Sequence, residues 1–256
     1  MPARYQSARF PGKPLAVLKG AGGAEKTLIQ RSWEAAIAVP GVARVFVATD
    51  DARIADAARV FGAEVAMTPT SCANGTERAA AVIEDAEAPP EIVVNLQGDA
   101  PLTPPGFVTA LIDAMAADPS IAAATPILAL ETETLARFRA DRAAGRVGGT
   151  TAVCAASGRA LYFSKEVLPF GADALAIPAW HHVGVYAYRV DALRQYGTFG
   201  PGILEKAEGL EQLRFLENDI PLHCVAVERG DGAFWEVNNP GDVTVVEAAL
   251  AARGLA

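Results

Sequence analysis

The stretch VFVATDDARIADAARVFGAEVAM, residues 45–67, decides the fold. Val45 to Thr49 is a buried-strand run that ends at Asp50-Asp51, Ala52 to Phe61 carries apolar residues at helical spacing, and Ala63 to Met67 returns to the strand pattern. Strand, helix and strand at this spacing predict a parallel sheet with helices on both faces. Downstream, Gly75 to Ala86 reads as a helix and Ile92 to Leu96 as a fully apolar strand. Pro104-Pro105 opens a helix through Ala116, since proline is tolerated in a first turn. After about residue 125 the character changes. Thr151 to Ala155 and Ala160 to Ser164 flank Ala156-Ser157-Gly158-Arg159 as a hairpin, and His182 to Tyr188 alternates with period two. Val183, Val185 and Ala187 then face one way, and His182, Tyr186 and Tyr188 the other. A helix over about Leu204–Leu216, a strand over Leu222–Val227 and a helix over Val243–Ala252 complete the chain. The expected class is α/β, a Rossmann-like, mostly parallel sheet with a smaller β-rich subdomain. Residues 1–125, 126–200 and 201–256 are its parts within one integrated domain.

Composition narrows the function. The 22 basic and 30 acidic residues give a net charge of -8, which argues against a nucleic-acid-wrapping protein, so an anionic ligand would need a local basic cluster. No run of about 18 apolar residues occurs, and no membrane span is expected. Met1 runs into Pro2-Ala3-Arg4 without a secretory pattern, which predicts a cytoplasmic protein. Cys72, Cys154 and Cys224 form no CxxC pair and read as buried thiols in a reducing compartment.

The basic cluster exists. Arg4, Arg9 and Lys13 lie with Ser7 in PARYQSARFPGKPL, and three of the five lysines fall in the first 26 residues. This loop suits phosphate contact; a solvated N-terminal loop is the plain alternative. Asn95-Leu96-Gln97-Gly98-Asp99 ends a buried strand in a carboxylate, where Asp99 can hold Mg²⁺ on a nucleotide, or merely sit in a turn. Asn74-Gly75-Thr76-Glu77-Arg78 is a helix cap or a ligand-facing loop, and Asn239 and Asp242 read as caps of the last helix. His181 and His182 point to opposite strand faces and cannot chelate one ion. His182 with Tyr186 reads as a ligand-lining strip or as a half-buried strand face. Glu208, Glu211 and Gln212 share a helix face opposite Ala207, Leu210 and Leu213.

In order, PARYQSARFPGKPLA, VATDD, NGTERAA, VVNLQGDAPL, ALYFSKEVLPF, HHVGVYAYR, LEKAEGLEQLRFLEN and VNNPGDV resemble the 3-deoxy-D-manno-octulosonate (Kdo) cytidylyltransferases across nearly the whole chain. The resemblance implies a nucleotide-diphospho-sugar transferase fold and a cytosolic, Mg²⁺-dependent homodimer. Such an enzyme makes CMP-Kdo and pyrophosphate from CTP and Kdo, for lipopolysaccharide or capsule. Position by position, it implies that Arg4, Ser7, Arg9 and Lys13 contact CTP, that Asn74, Gly75, Thr76, Arg78 and Gln97 frame the nucleotide, and that Arg9, Lys13 and Asp99 act in catalysis. Asp99 and Asn238 would bind metal; His182, Tyr186, Glu211 and Gln212 would line the Kdo pocket. The family's QGDEP is here Gln97-Gly98-Asp99-Ala100-Pro101, its VDTPED is Val237-Asn238-Asn239-Pro240-Gly241-Asp242, and a family lysine is Thr151. The uncharged Asn238 implies a weaker or absent second metal site and a divergent subfamily. Two alternatives stay open: transfer to a related 3-deoxy sugar acid (8-amino-Kdo or a nonulosonic acid), and a weakened paralogue that only binds CTP or the sugar acid. In the family PARY follows a short apolar strand, which leads us to expect that the recorded start lies several codons late.

Overall fold

The computed structural model describes residues 1–256 except 8, 85, 87, 148, 173–176, 229 and 231–233. Its contacts divide the chain into two compact units, Met1–Pro89 with Asn95–Thr109 and Arg229–Ala256, and Pro90–Val94 with Ala110–Glu228.

In the first unit β1 (Val17–Lys19) and β2 (Glu25–Thr27) pair antiparallel, and β3 (Phe46–Thr49) and β4 (Glu64–Met67) pair parallel across α2 (Ala52–Val60), as the 45–67 pattern requires. α1 (Leu28–Ile37) starts at Thr27, whose side chain accepts from Gln30 N, and α2 starts at Asp51, whose carboxylate accepts from Arg53 N. Two buried clusters form the unit's core. Ala3, Ile29, Val47, Ile54, Ala58 and Ala63 make one; Leu18, Leu28, Leu102, Val237, Val246 and Leu250 make the other, which packs α9 (Asp242–Ala252) beside α1. Met1 and Ala3 exchange backbone hydrogen bonds with Phe46 and Ala48, so the first residues extend this pairing in parallel. α3 (Gly75–Glu84) and the start of α4 (Pro105–Ala117) complete the unit's helices; the expected reach of α3 to Ala86 passes position 85, outside the described residues.

The second unit centres on β6 (Ala123–Ala129), whose first six residues are all buried. Its sheet runs β5 (Ile92–Leu96), β10 (Val185–Arg189), β6, β9 (Trp180–His182), β7 (Thr150–Cys154), β8 (Ala160–Ser164), with β11 (Leu222–Ala226) also on β6. β5 begins in this unit and enters the first at Asn95. β11 runs parallel to β6, while β9, β10 and the β7–β8 hairpin are antiparallel to their neighbours. The α/β class stands, but the sheet is mixed: β6 takes β11 in parallel and β9 and β10 antiparallel, and the short connection between β7 and β8 makes an antiparallel hairpin. The parallel register on β6 carries residues 201–228 into this unit, where sequence grouping had set them with the C-terminal part.

Two expected elements divide. The run His182–Tyr188 is two strands broken at Val183-Gly184, and both of its faces are buried, Tyr186 and Tyr188 included. The aromatic face packs instead on α6 (Val190–Thr198) and α8 (Leu213–Glu217), with Tyr188 stacked on Phe215 at 5.6 Å between centroids. The expected helix over Leu204–Leu216 is α7 (Ile203–Glu208) and α8, separated at Gly209, which takes a left-handed φ of 61°. Glu208 therefore shares no helix face with Glu211 and Gln212. Its carboxylate accepts from Ser164 Oγ at 2.7 Å and Lys165 N at 2.8 Å, bracing the end of β8. α5 (Thr132–Ala143) buries Leu135 and Phe138.

Candidate active site

Four residues from three distant stretches of sequence converge in the first unit. Gly12, at φ 71°, turns the basic loop so that its N–H reaches Tyr5 O at 2.9 Å, and a 3₁₀ turn at Lys13–Leu15 follows. Arg53 stacks on the Tyr5 ring at 3.4 Å and pins the loop's near end. Lys13 Nζ then lies 2.5 Å from Asp99 Oδ2, and Arg9 donates to Asn238 Oδ1 at 3.1 Å. The lysine side chain is 12% exposed and the aspartate 27%, so the pair is sheltered without being sealed. Arg4 is exposed, and Ser7 Oγ accepts from Phe10 N at 3.4 Å, closing the loop on itself.

The segment carrying Asn238 is drawn to Asp99 by its backbone: Val237 N donates to Asp99 O at 2.9 Å while the Val237 side chain is fully buried. Asp242 proves to be more than a helix cap. Its carboxylate gathers Asn238 N, Asn239 N and Trp235 Nε1, and Gly241 occupies the N-cap without a side-chain bond. Asn239 itself is exposed and bonds the same carboxylate, so neither residue caps α9 in the expected way.

On the other side of Asp99, Asn74 accepts from Glu77 N at 2.8 Å and Glu77 accepts from Ala73 N at 2.6 Å, a reciprocal start for α3. Thr76 and Arg78 are buried; Arg78 bonds the Thr68 hydroxyl and lies 3.4 Å from Asp50, so the two aspartates of VATDD divide between this pair and the α2 cap. Gly75 forms a cradle: a Cβ there would lie 2.9 Å from Gln97 Nε2 and 3.2 Å from Asn95 Nδ2. Asn95 is fully buried and its Nδ2 has no hydrogen-bond partner among the described residues. A buried donor without a partner is costly, which marks this cradle as a place for an acceptor-bearing ligand. Asn95 escaped the sequence reading, although a polar residue inside an apolar strand was visible.

Glu236 escaped it too. Burial first, and then the Asp99 charge, push its carboxyl above the usual carboxylate range, while Lys13, a hydrogen bond with Asn238, and Arg9 act the other way. Among the described residues no three His, Cys, Asp or Glu side chains are arranged to hold a metal by themselves. The donor set at Asp99, Glu236 and Asn238 is all oxygen, with a lysine ammonium already standing on one carboxylate. That chemistry fits a hard cation that brings phosphate ligands of its own.

The second unit gathers three of the four expected sugar-site residues, bonded to one another. Tyr186 donates to Gln212 Oε1 at 3.1 Å, Gln212 Nε2 lies 3.4 Å from His182 Nδ1, and His182 Nε2 lies 3.0 Å from Thr125 Oγ1. Thr125 donates onward to a backbone carbonyl, Val185 O at 2.8 Å or Val183 O at 3.1 Å. The directions close only if Nε2 of His182 carries the proton and Nδ1 accepts. Burial, helped by His181, lowers the His182 pKa to about 3, so the ring is neutral. Glu211 is half-buried, and its backbone oxygen accepts from Tyr196. Thr151 is buried and spends its hydroxyl on Glu166 O at 2.6 Å and Leu168 N at 3.2 Å. The three cysteines are free, Cys224 buried and the others half-buried.

A cytidylyltransferase family model matches residues 1–222. A 3-deoxy-manno-octulosonate cytidylyltransferase of Maricaulis maris is 46% identical over 255 residues, covering 99% of this chain and 96% of the relative. One from Myxococcus xanthus is 40% identical, with the same coverages. Among solved structures, a CMP:2-keto-3-deoxy-manno-octonic acid synthetase complexed with CTP is 35% identical with a TM-score of 0.85, covering 98% of this chain and 97% of that one.

Proposed function

The chain belongs to the cytidylyltransferases, and from that premise we propose that it transfers CMP from CTP to the anomeric hydroxyl of Kdo, releasing pyrophosphate. The carrying observation is the convergence of Arg9, Lys13, Asp99 and Asn238, which sets cations and oxygen donors where a triphosphate needs both. Arg9, Lys13 and the exposed Arg4 hold the phosphates. Each cation within about 4 Å of a phosphate charge contributes around 4 kcal/mol at an effective dielectric near 20, before desolvation. The Gly75 cradle, with the Asn95 and Gln97 amides, takes the nucleoside side of CTP.

Transfer needs alignment and charge stabilisation rather than a covalent intermediate. Lys13, paired with Asp99 at 2.5 Å, would stabilise the charge that develops on the phosphate oxygens. Asp99 and Asn238 would hold Mg²⁺, which when bound supplies positive charge to those oxygens. The homodimer and the cytoplasmic location belong to the same proposal; among the described residues no helix is long and apolar enough to cross a membrane. Thr151, standing where the family has lysine, favours a second reading, a related 3-deoxy sugar acid as acceptor. Pyrophosphate release with CTP and millimolar Mg²⁺ across an acceptor panel tests both. Release with Kdo is expected; release with another acid alone moves the assignment to the second reading, and none with any acid overturns both.

A further inference from the structure

Asp99 stands on a turn, and a turn must be held from outside if it is to place a carboxylate. Ala100 N donates to Gln97 O at 3.2 Å, so Gln97–Ala100 is a four-residue turn with Gly98 and Asp99 at its centre. Glycine takes either sign of φ, and the peptide joining the two central residues is therefore the part that the turn's own hydrogen bond fixes least. Rotating that peptide would swing the Asp99 carboxylate off Lys13 Nζ, now 2.5 Å away. Three contacts oppose the rotation. Gly98 N donates to Pro2 O at 3.2 Å, Val237 N donates to Asp99 O at 2.9 Å, and the Ser32 hydroxyl donates to Gly98 O at 3.0 Å. The third comes from a side chain and falls on the central peptide itself.

Ser32 is an unusual occupant of its place. It lies in the middle of α1 and is fully buried, where serine is a poor helix former and commonly spends its hydroxyl on the carbonyl one turn back. Here the hydroxyl crosses to a backbone carbonyl 66 positions away. The helix that carries it is firmly seated: Ile29 belongs to one core cluster of the unit, Leu28 to the other, and Arg31 donates to Leu18 O and Ala24 O. The turn rests closely on the same helix, since a Cβ at Gly98 would lie 2.9 Å from Ile29 Cδ1 and 2.8 Å from Pro2 O. We propose that Ser32 is a positioning residue for Asp99, fixing the Gly98–Asp99 peptide so that the carboxylate meets Lys13 and the divalent cation that accompanies CTP. A ligand aimed by a hydrogen bond from a rigid element keeps its geometry where a free turn would not.

The inference rests on the cytidylyltransferase reading, and the experiment separates the two. Mn²⁺ is titrated into the full chain with CTP and no acceptor, and the electron paramagnetic resonance of free Mn²⁺ gives the affinity without any turnover. Wild-type protein is expected to bind; if it does not, the metal-site reading falls and takes this inference with it. Ser32→Ala removes the hydroxyl and leaves the charges of the site untouched. Its Mn²⁺ affinity is expected to fall by about 10-fold or more, the range seen when a group that orients a metal ligand is lost. Ser32→Cys, close in size but a weaker donor, is expected to fall between that variant and wild type. Circular dichroism melts show whether each variant is folded at the temperature of the titration, and Ser32→Cys carries the comparison should Ser32→Ala unfold. Wild-type Mn²⁺ affinity in folded Ser32→Ala, or in Ser32→Cys where only that variant folds, leaves Ser32 a packing residue and overturns the assignment, whatever the melting temperature.

Discussion

The polar clusters of the two units solve opposite problems. In the first unit Arg9, Lys13 and Asp99 carry charge and keep a path to water. In the second, Thr125, His182, Tyr186 and Gln212 are buried, neutral and matched donor to acceptor. A charge pair buried there, Arg214 with Glu205, is bidentate at 2.7 Å on both arms, and Arg214 also donates to Phe199 O. A site that must accept phosphate and a cation needs charge left incompletely balanced, which only partial hydration tolerates. A packed unit tolerates charge only when it is fully compensated.

The contrast breaks most readily at Arg214 and Glu205. Glu205→Gln leaves a nearly inaccessible guanidinium without its counter-charge, so urea unfolding is expected to show a loss of about 3–5 kcal/mol. A loss below about 1 kcal/mol would place this pair with ordinary surface bridges. Asp99→Asn should do the reverse, removing charge from a sheltered but hydrated site. Turnover is expected to fall by about 10²- to 10³-fold, or ~2.7–4 kcal/mol of transition-state stabilisation, with the melting temperature nearly unchanged. A large drop in melting temperature with turnover retained would make Asp99 a structural residue and would erase the distinction between the units.

The same contrast explains what could be read from sequence. Strand–helix–strand order over 45–67 and the apolar strand at 92–96 were legible because local periodicity alone encodes them. The helix break at Gly209 was not, since Glu and Leu at helical spacing continue across it and only the left-handed φ of one glycine separates α7 from α8. Both faces of the 182–188 run are buried because β10 is covered by α6 and α8 on its aromatic side, a tertiary fact that alternation cannot contain. Arg9, Lys13 and Asp99 stood out as charges beside Gly and Pro, but their convergence with residue 238 depends on Val237 joining a distant core cluster. Glu236 was hidden by its context. An acid in WEVNN looks like surface until Val237 is known to be fully buried with its N–H on Asp99 O.

The finest test of the neutral network is proton linkage at His182. The unfolded histidine titrates near 6.5, whereas the folded ring, already donating from Nε2 and accepting at Nδ1, is held near a pKa of about 3. Between these values the unfolded chain binds the extra proton, so stability rises with pH across the window. The contribution of His182 is complete above about pH 6.5 and is lost as pH falls toward 3. Its slope approaches ~1.4 kcal/mol per pH unit where the unfolded ring is fully charged and the folded one is not. Other groups titrate in the same range, and for this reason the quantity to measure is the difference between wild type and His182→Gln, which share every other ionisable group. That difference is expected to favour wild type most at pH 7 and to shrink steadily toward pH 4. Parallel stability curves would mean that the ring gains its proton without cost in the folded state. The second unit would then hold a charge where the geometry of Thr125, Gln212 and Tyr186 has room only for a neutral imidazole.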